Sequence, residues 1–109
     1  MTDAHAVRSL AALAQASRLQ VFRALVGAGP PGLTPTRLSA SLDIAPTALS
    51  FHLKELLNSG LVTQERDGRN LIYRPALGVI NELLGFLTDH CCQGAPCALV
   101  STSCRVDRD

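Results

Sequence analysis

A mainly α-helical fold with one small β-hairpin is predicted for this chain by three features of its sequence. Apolar residues recur at helical spacing through residues 4–58. The period then switches to that of short strands around an Asp67-Gly68 dipeptide, a strong hairpin-turn signal. Helical spacing returns after Pro75. Taken in order, these make five helices with the hairpin before the last.

Residues 4–15 form the first helix, with Val7, Leu10, Ala11 and Ala14 as its apolar stripe. Ser17 is the expected N-cap of the second helix. That helix carries Leu19, Phe22, Leu25 and Val26 on one face and ends at Gly27-Ala28-Gly29-Pro30-Pro31-Gly32. A third helix starts at Thr34-Pro35: the threonine caps it, and the proline takes the first helical position, where a missing N–H costs little. Leu38 and Leu42 face inward. Asp43-Ile44-Ala45 connects it to a fourth helix opened by Pro46, with Leu49, Leu53, Leu56 and Leu57 as its buried stripe and Gly60 as a left-handed cap. Residues 61–66 and 70–74 read as strands. The last helix carries Leu77, Ile80, Leu84 and Leu87, and Val79, Leu83 and Phe86 widen its apolar surface to a neighbouring face. That is more than one small core requires, so one of the faces is expected at a dimer interface. A fully buried helix is the alternative.

Two short helices joined by a tight connection and followed by a hairpin describe a winged helix-turn-helix. The second helix of the pair would enter a DNA major groove. Thr47, Ala48, Ser50, His52 and Lys54 are its candidate DNA-facing residues; Phe51 is a further non-core position, which either joins them or packs under the wing. Arg66, Arg69 and Arg74 on the hairpin are candidates for backbone or minor-groove contacts, and Thr36 and Arg37 on the preceding helix are further DNA-binding candidates. The net charge is only +1, and between Thr34 and Arg74 basic residues exceed acidic ones by one. Affinity for DNA must therefore come from placement rather than bulk charge.

At 109 residues one domain is expected, divided into a DNA-binding and dimerisation part at 1–90 and a cysteine-bearing tail at 91–109. The composition is 47% hydrophobic and 17% charged, apolar enough for so small a chain to favour a homodimer. The N-terminus places Asp3 where a secretory leader would be basic. No apolar run approaches the ~18 residues of a membrane span. A cytoplasmic location is expected, where thiols stay reduced. All four cysteines, Cys91, Cys92, Cys97 and Cys104, follow the last helix. Clustered thiols of this kind suit a soft metal or metalloid, or redox sensing, rather than a disulfide framework. Trivalent arsenic or antimony takes three sulfurs in a pyramid, and Cys91, Cys92 and Cys97 lie within seven residues with Gly94 and Pro96 between them to turn the chain back. Paired C-x-x-C spacing, usual for structural zinc, is absent. Cys104 is a further candidate sulfur, and His90 closes the last helix or adds a ligand. The histidines are His5, His52 and His90, and no nucleophile–base arrangement emerges, so an enzyme is not expected.

Three linked segments resemble the ArsR/SmtB family of metal-responsive repressors. Ala16-Ser17-Arg18-Leu19-Gln20-Val21-Phe22-Arg23-Ala24-Leu25 is similar to its second-helix signature. Leu49-Ser50-Phe51-His52-Leu53-Lys54-Glu55-Leu56 with Ser59-Gly60-Leu61-Val62 is similar to its recognition helix and entry to the wing, and Glu65-Arg66-Asp67-Gly68-Arg69-Asn70-Leu71-Ile72-Tyr73 to the wing itself. The resemblance spans about Val7 to His90; Ala45 departs from it, where a capping Ser or Asn is usual. It implies a homodimer packed through the first and last helices on a palindromic double-stranded operator. It further implies a repressor of a metalloid-resistance operon that needs no cofactor to bind DNA. As(III), a related trivalent arsenical or Sb(III) would bind the terminal thiolates as inducer. The Cys-Val-Cys motif that some arsenical repressors carry before the recognition helix is missing from residues 36–42, and residues 76–88 hold no Asp/His pair of the zinc and nickel sensors. The C-terminal cysteines are similar to arsenic sites at the end of the last helix in certain members. Other readings of the same thiols are cadmium, lead or copper(I) sensing and a redox switch. For the domain, the alternative is a winged-helix module that binds proteins rather than DNA.

Overall fold

The computed structural model describes residues 1–89. In chain order its elements are α1 (Asp3–Leu13), α2 (Ala16–Ala28), α3 (Pro35–Leu42), α4 (Pro46–Asn58), β1 (Val62–Asp67), β2 (Asn70–Pro75) and α5 (Leu77–Leu87). The five helices and two-stranded antiparallel hairpin are those expected from the sequence. His90, Cys91, Cys92, Cys97 and Cys104 lie outside the described residues.

Local chemistry explains most boundaries. Thr34 Oγ1 accepts from the Arg37 amide at 3.3 Å, and Pro35 occupies the first turn of α3. The helix stops at Asp43, which adopts a left-handed conformation with φ of 56°. Ser39 fastens that turn twice: its carbonyl accepts from the Ile44 amide at 3.2 Å, and its hydroxyl donates to the Ile44 carbonyl at 2.6 Å. At the end of α4 the Gly60 amide donates to the Leu57 carbonyl and the Leu61 amide to the Leu56 carbonyl. This is a Schellman closure, and it requires the positive φ of 81° that glycine adopts at position 60 without strain.

The cap of α2 differs from expectation. Gln15, not Ser17, precedes the helix in extended conformation, and its Oε1 accepts from the Arg18 amide at 2.9 Å. Ser17 already lies inside the first turn. The Arg18 Nε donates to the Ala12 carbonyl at 2.8 Å, so one side chain closes the end of α1 while the backbone starts α2.

Leu25, Leu38, Leu49, Leu53, Leu56 and Leu61 form the centre of the core, flanked by Val21, Phe22, Val62 and Tyr73. Leu42 and Leu57 are half-buried against it, while Leu19 and Val26 of the α2 stripe are exposed. The hairpin pairs Val62 with Pro75 through to Asp67 with Asn70. Its loop is therefore Gly68-Arg69, one residue later than the Asp67-Gly68 read from the sequence, with Gly68 at φ of 64°. A further tie was not expected. Leu33, on the loop before α3, exchanges both backbone hydrogen bonds with Tyr73, at 3.0 and 2.8 Å. Gly32 makes that approach possible: a Cβ there would lie 2.7 Å from the Tyr73 carbonyl oxygen.

On each outer helix one face meets the protomer and an apolar one is exposed. α1 turns Ala6, Ser9 and Ala12 inward, while Val7, Leu10, Ala11 and Ala14 point out. α5 buries Leu83 and half-buries Val79 and Ile80, leaving Leu77, Leu84 and Leu87 exposed. Both helices carry two apolar stripes, and period alone does not say which one meets the protomer. Against α1 the small residues win, because they let helices approach closely.

Candidate nucleic-acid interface

α3, the Asp43–Ala45 connection and α4 build the helix-turn-helix, and the hairpin stands beside it as the wing. A shallow cleft between the two helices is lined by Pro35, Thr36, Ser39, Ala40, Pro46 and Ser50, with Leu49 at its floor. Small residues here bring the two helices together and leave their N-terminal ends open to a ligand. No side chain caps α4 at Ala45. Its first-turn amides, at Thr47 and Ala48, are thus left for a partner outside the protomer, and a helix N-terminus favours phosphate.

Eight of the ten residues proposed from sequence to face DNA are exposed: Thr36, Arg37, Thr47, Ala48, Ser50, Lys54, Arg66 and Arg69. On α4 the exposed set lies opposite Leu49, Leu53 and Leu56, so burial of the leucines fixes which side chains are presented. Arg66 stands on β1 and Arg69 at the hairpin tip.

The other two are placed differently. His52 is turned into the protomer with 9% of its surface exposed, and its Nδ1 has no hydrogen-bond partner. Burial, and then the nearby Arg18 guanidinium, hold its pKa below the ordinary histidine value. Turned inward, the imidazole is not presented on the exposed face with Thr47, Ser50 and Lys54. It completes the buried face of α4, at the helical step from Leu49 to Leu53 and Leu56. Arg74 is held within the protein: its Nη1 pairs with Glu65 Oε1 at 2.6 Å and its Nε donates to the Pro30 carbonyl at 2.7 Å. It ties the wing to the loop before α3 instead of standing free at the tip.

One residue was undervalued in the sequence. Phe51 is 55% exposed, on the same outward face as Thr47, Ser50 and Lys54. Its ring packs edge-on to His52, with centroids 5.7 Å apart, and the Arg18 guanidinium lies 6.0 Å from its centre.

A helix-turn-helix domain family matches residues 13–65. No curated protein sequence matches the chain. Among solved structures, an ArsR-like transcriptional regulator from Rhodococcus sp. RHA1 is 26% identical with a TM-score of 0.70, over 77% of this chain and 76% of that one. Reduced HlyU from Vibrio cholerae N16961 is 31% identical with a TM-score of 0.59, over 77% of this chain and 88% of the other. A possible transcriptional regulator for arsenical resistance is 28% identical with a TM-score of 0.63, over 72% and 79%. The exposed recognition face and wing, on a fold shared with these regulators over most of their length, show that the chain belongs to the ArsR family of winged-helix, DNA-binding transcriptional regulators.

Proposed function

We propose that the protein is a cytoplasmic homodimeric repressor that binds a palindromic operator and leaves it when a trivalent arsenical or Sb(III) binds Cys91, Cys92 and Cys97. The observation that carries this reading is the position of those thiols: three within seven residues, immediately after α5. Three soft donors match the pyramidal demand of the trivalent metalloids. Among the described residues there is no group of three or more His, Cys, Asp or Glu side chains able to hold a metal ion, and no helix long and apolar enough to cross a membrane. The resemblance to a possible regulator for arsenical resistance supports the same ligand class.

α5 is also where a second protomer would sit. Val7 and Leu10 on α1, and Leu77, Leu84 and Leu87 on α5, are each at least 41% exposed. Completing the burial of such half-exposed side chains is worth about half of the ~1.5–3 kcal/mol of full burial apiece. A ligand drawing the tail against the end of α5 would act on the helix that fixes the spacing of the two recognition helices. Half-sites one DNA turn apart make binding sensitive to that spacing. A coupling of about 1–3 kcal/mol or more suffices for a useful response.

Release of a fluorescent operator duplex, followed by anisotropy under reducing conditions, tests the ligand class. Arsenite, methylarsenite or antimonite should release the DNA at concentrations where zinc does not. Release by cadmium alone would replace the metalloid reading with another soft metal. A second reading is favoured by the vicinal Cys91–Cys92 pair, which can form a disulfide with Cys97 when oxidised. Release by peroxide and recovery with dithiothreitol would establish it.

A further inference from the structure

We propose that Phe51 is a sequence-reading residue of the recognition helix, its ring packing against a thymine 5-methyl group in the major groove. The proposal rests on the DNA-binding assignment and not on the cysteine mechanism. Three observations lead to it. The ring is 55% exposed although it is the largest apolar side chain of α4. It shares its face with Thr47, Ser50 and Lys54, all exposed, so a duplex touching those residues also covers the ring. It is also restrained. The Arg18 guanidinium, fixed through Nε on the Ala12 carbonyl at 2.8 Å, lies 6.0 Å from the ring centre, and the His52 ring meets it at 63°. A restrained apolar group loses little entropy on binding.

Among groups on base edges in the major groove, the thymine methyl is the apolar one, and phenylalanine is among the side chains suited to it. Arg18 is a positioning residue in this arrangement: it holds the ring and touches no base.

The test uses the full chain and a pool of random duplex DNA. Sequences retained by the wild type are identified, and each thymine in the enriched site is replaced in turn by deoxyuridine, which removes only the methyl group. Wild-type affinity should fall about fourfold at one thymine in each half-site, the effect of losing one methyl from an apolar contact. Phe51→Ala should bind the thymine and deoxyuridine duplexes equally, Phe51→Leu should keep part of the difference, and Arg18→Ala should reduce it. Unchanged thermal unfolding and sedimentation of Phe51→Ala show that the fold and assembly persist. Indifference of the wild type to every substitution, or a full penalty retained by Phe51→Ala, overturns the proposal. A Phe51→Ala chain that changes its oligomeric state places the ring against a second copy and overturns it equally. Failure to enrich any sequence overturns the specific-DNA reading itself, and the proposal with it.

Discussion

Leu53 and Leu84 both sit in the middle of amphipathic helices, yet Leu53 is 2% exposed and Leu84 42%. They represent two regions of different character. α2, α3, α4 and the hairpin close a continuous core around Leu25, Leu38 and Leu56, all fully buried. α1 and α5 pack on that core through Ala12, Leu13, Val79 and Ile80, with Leu83 also buried, and leave Val7, Leu10, Leu77, Leu84 and Leu87 exposed. The helix-turn-helix half is complete as a protomer. The outer pair keeps an apolar face exposed. The contrast sets the exposed, mainly small and polar face of α4 against the exposed apolar face that we propose as the dimer interface.

Substitution of these two leucines should break the contrast most visibly. Leu53→Ala should lose about 2–5 kcal/mol of stability in chemical denaturation, since it opens a cavity in a packed interior. Leu84→Asp should leave the protomer folded by circular dichroism but sediment as a monomer at micromolar concentration, with operator binding at least tenfold weaker. A Leu84→Asp chain that remains dimeric would move the interface elsewhere.

Smaller effects test the joints inside the complete half. Gly32→Ala should cost more than about 1–2 kcal/mol, because the residue has φ of 70° and a methyl group would meet the Tyr73 carbonyl oxygen. Thermal unfolding measures it. Thr34→Ala should cost about 1 kcal/mol through loss of the cap on Arg37.

His52 predicts a pH dependence. Its folded pKa lies below the ordinary 6.5, so at pH values between the two the unfolded chain binds more protons. The stabilising contribution is fully present above 6.5 and is lost as the pH falls through the folded value. Denaturation midpoints should fall from pH 7.5 to 5.5, and His52→Gln should flatten that part of the profile. An unchanged slope in the variant would assign the dependence to other groups.

Much of this was legible where a residue's chemistry is local. Thr34-Pro35, Pro46, Gly60 and the glycine of the hairpin loop each satisfy a backbone demand within a few residues, and each marks its boundary within one residue. The recognition helix was legible because its leucines point one way and its small polar residues the other. What escaped depends on tertiary neighbours. Ser17 has cap chemistry, but the turn out of α1 puts Gln15 in the extended position. The inward stripes of α1 and α5 depend on which apolar face meets the protomer, and both faces have helical period. His52 looks polar in sequence, yet stands one turn before Leu56, on the buried face. The Leu33–Tyr73 pairing joins segments forty residues apart and leaves no local signal beyond Gly32.

We propose a coupling that joins the two regions: the helix-turn-helix binds DNA, and thiols beyond α5 undo that binding. It is tested most directly by comparing the wild type with a Cys91→Ser/Cys92→Ser/Cys97→Ser chain on one operator duplex, by anisotropy, under reducing conditions with arsenite added. The account predicts equal affinity for DNA without arsenite, and release of the wild type alone when it is added. Release of both proteins at the same arsenite concentration would contradict it.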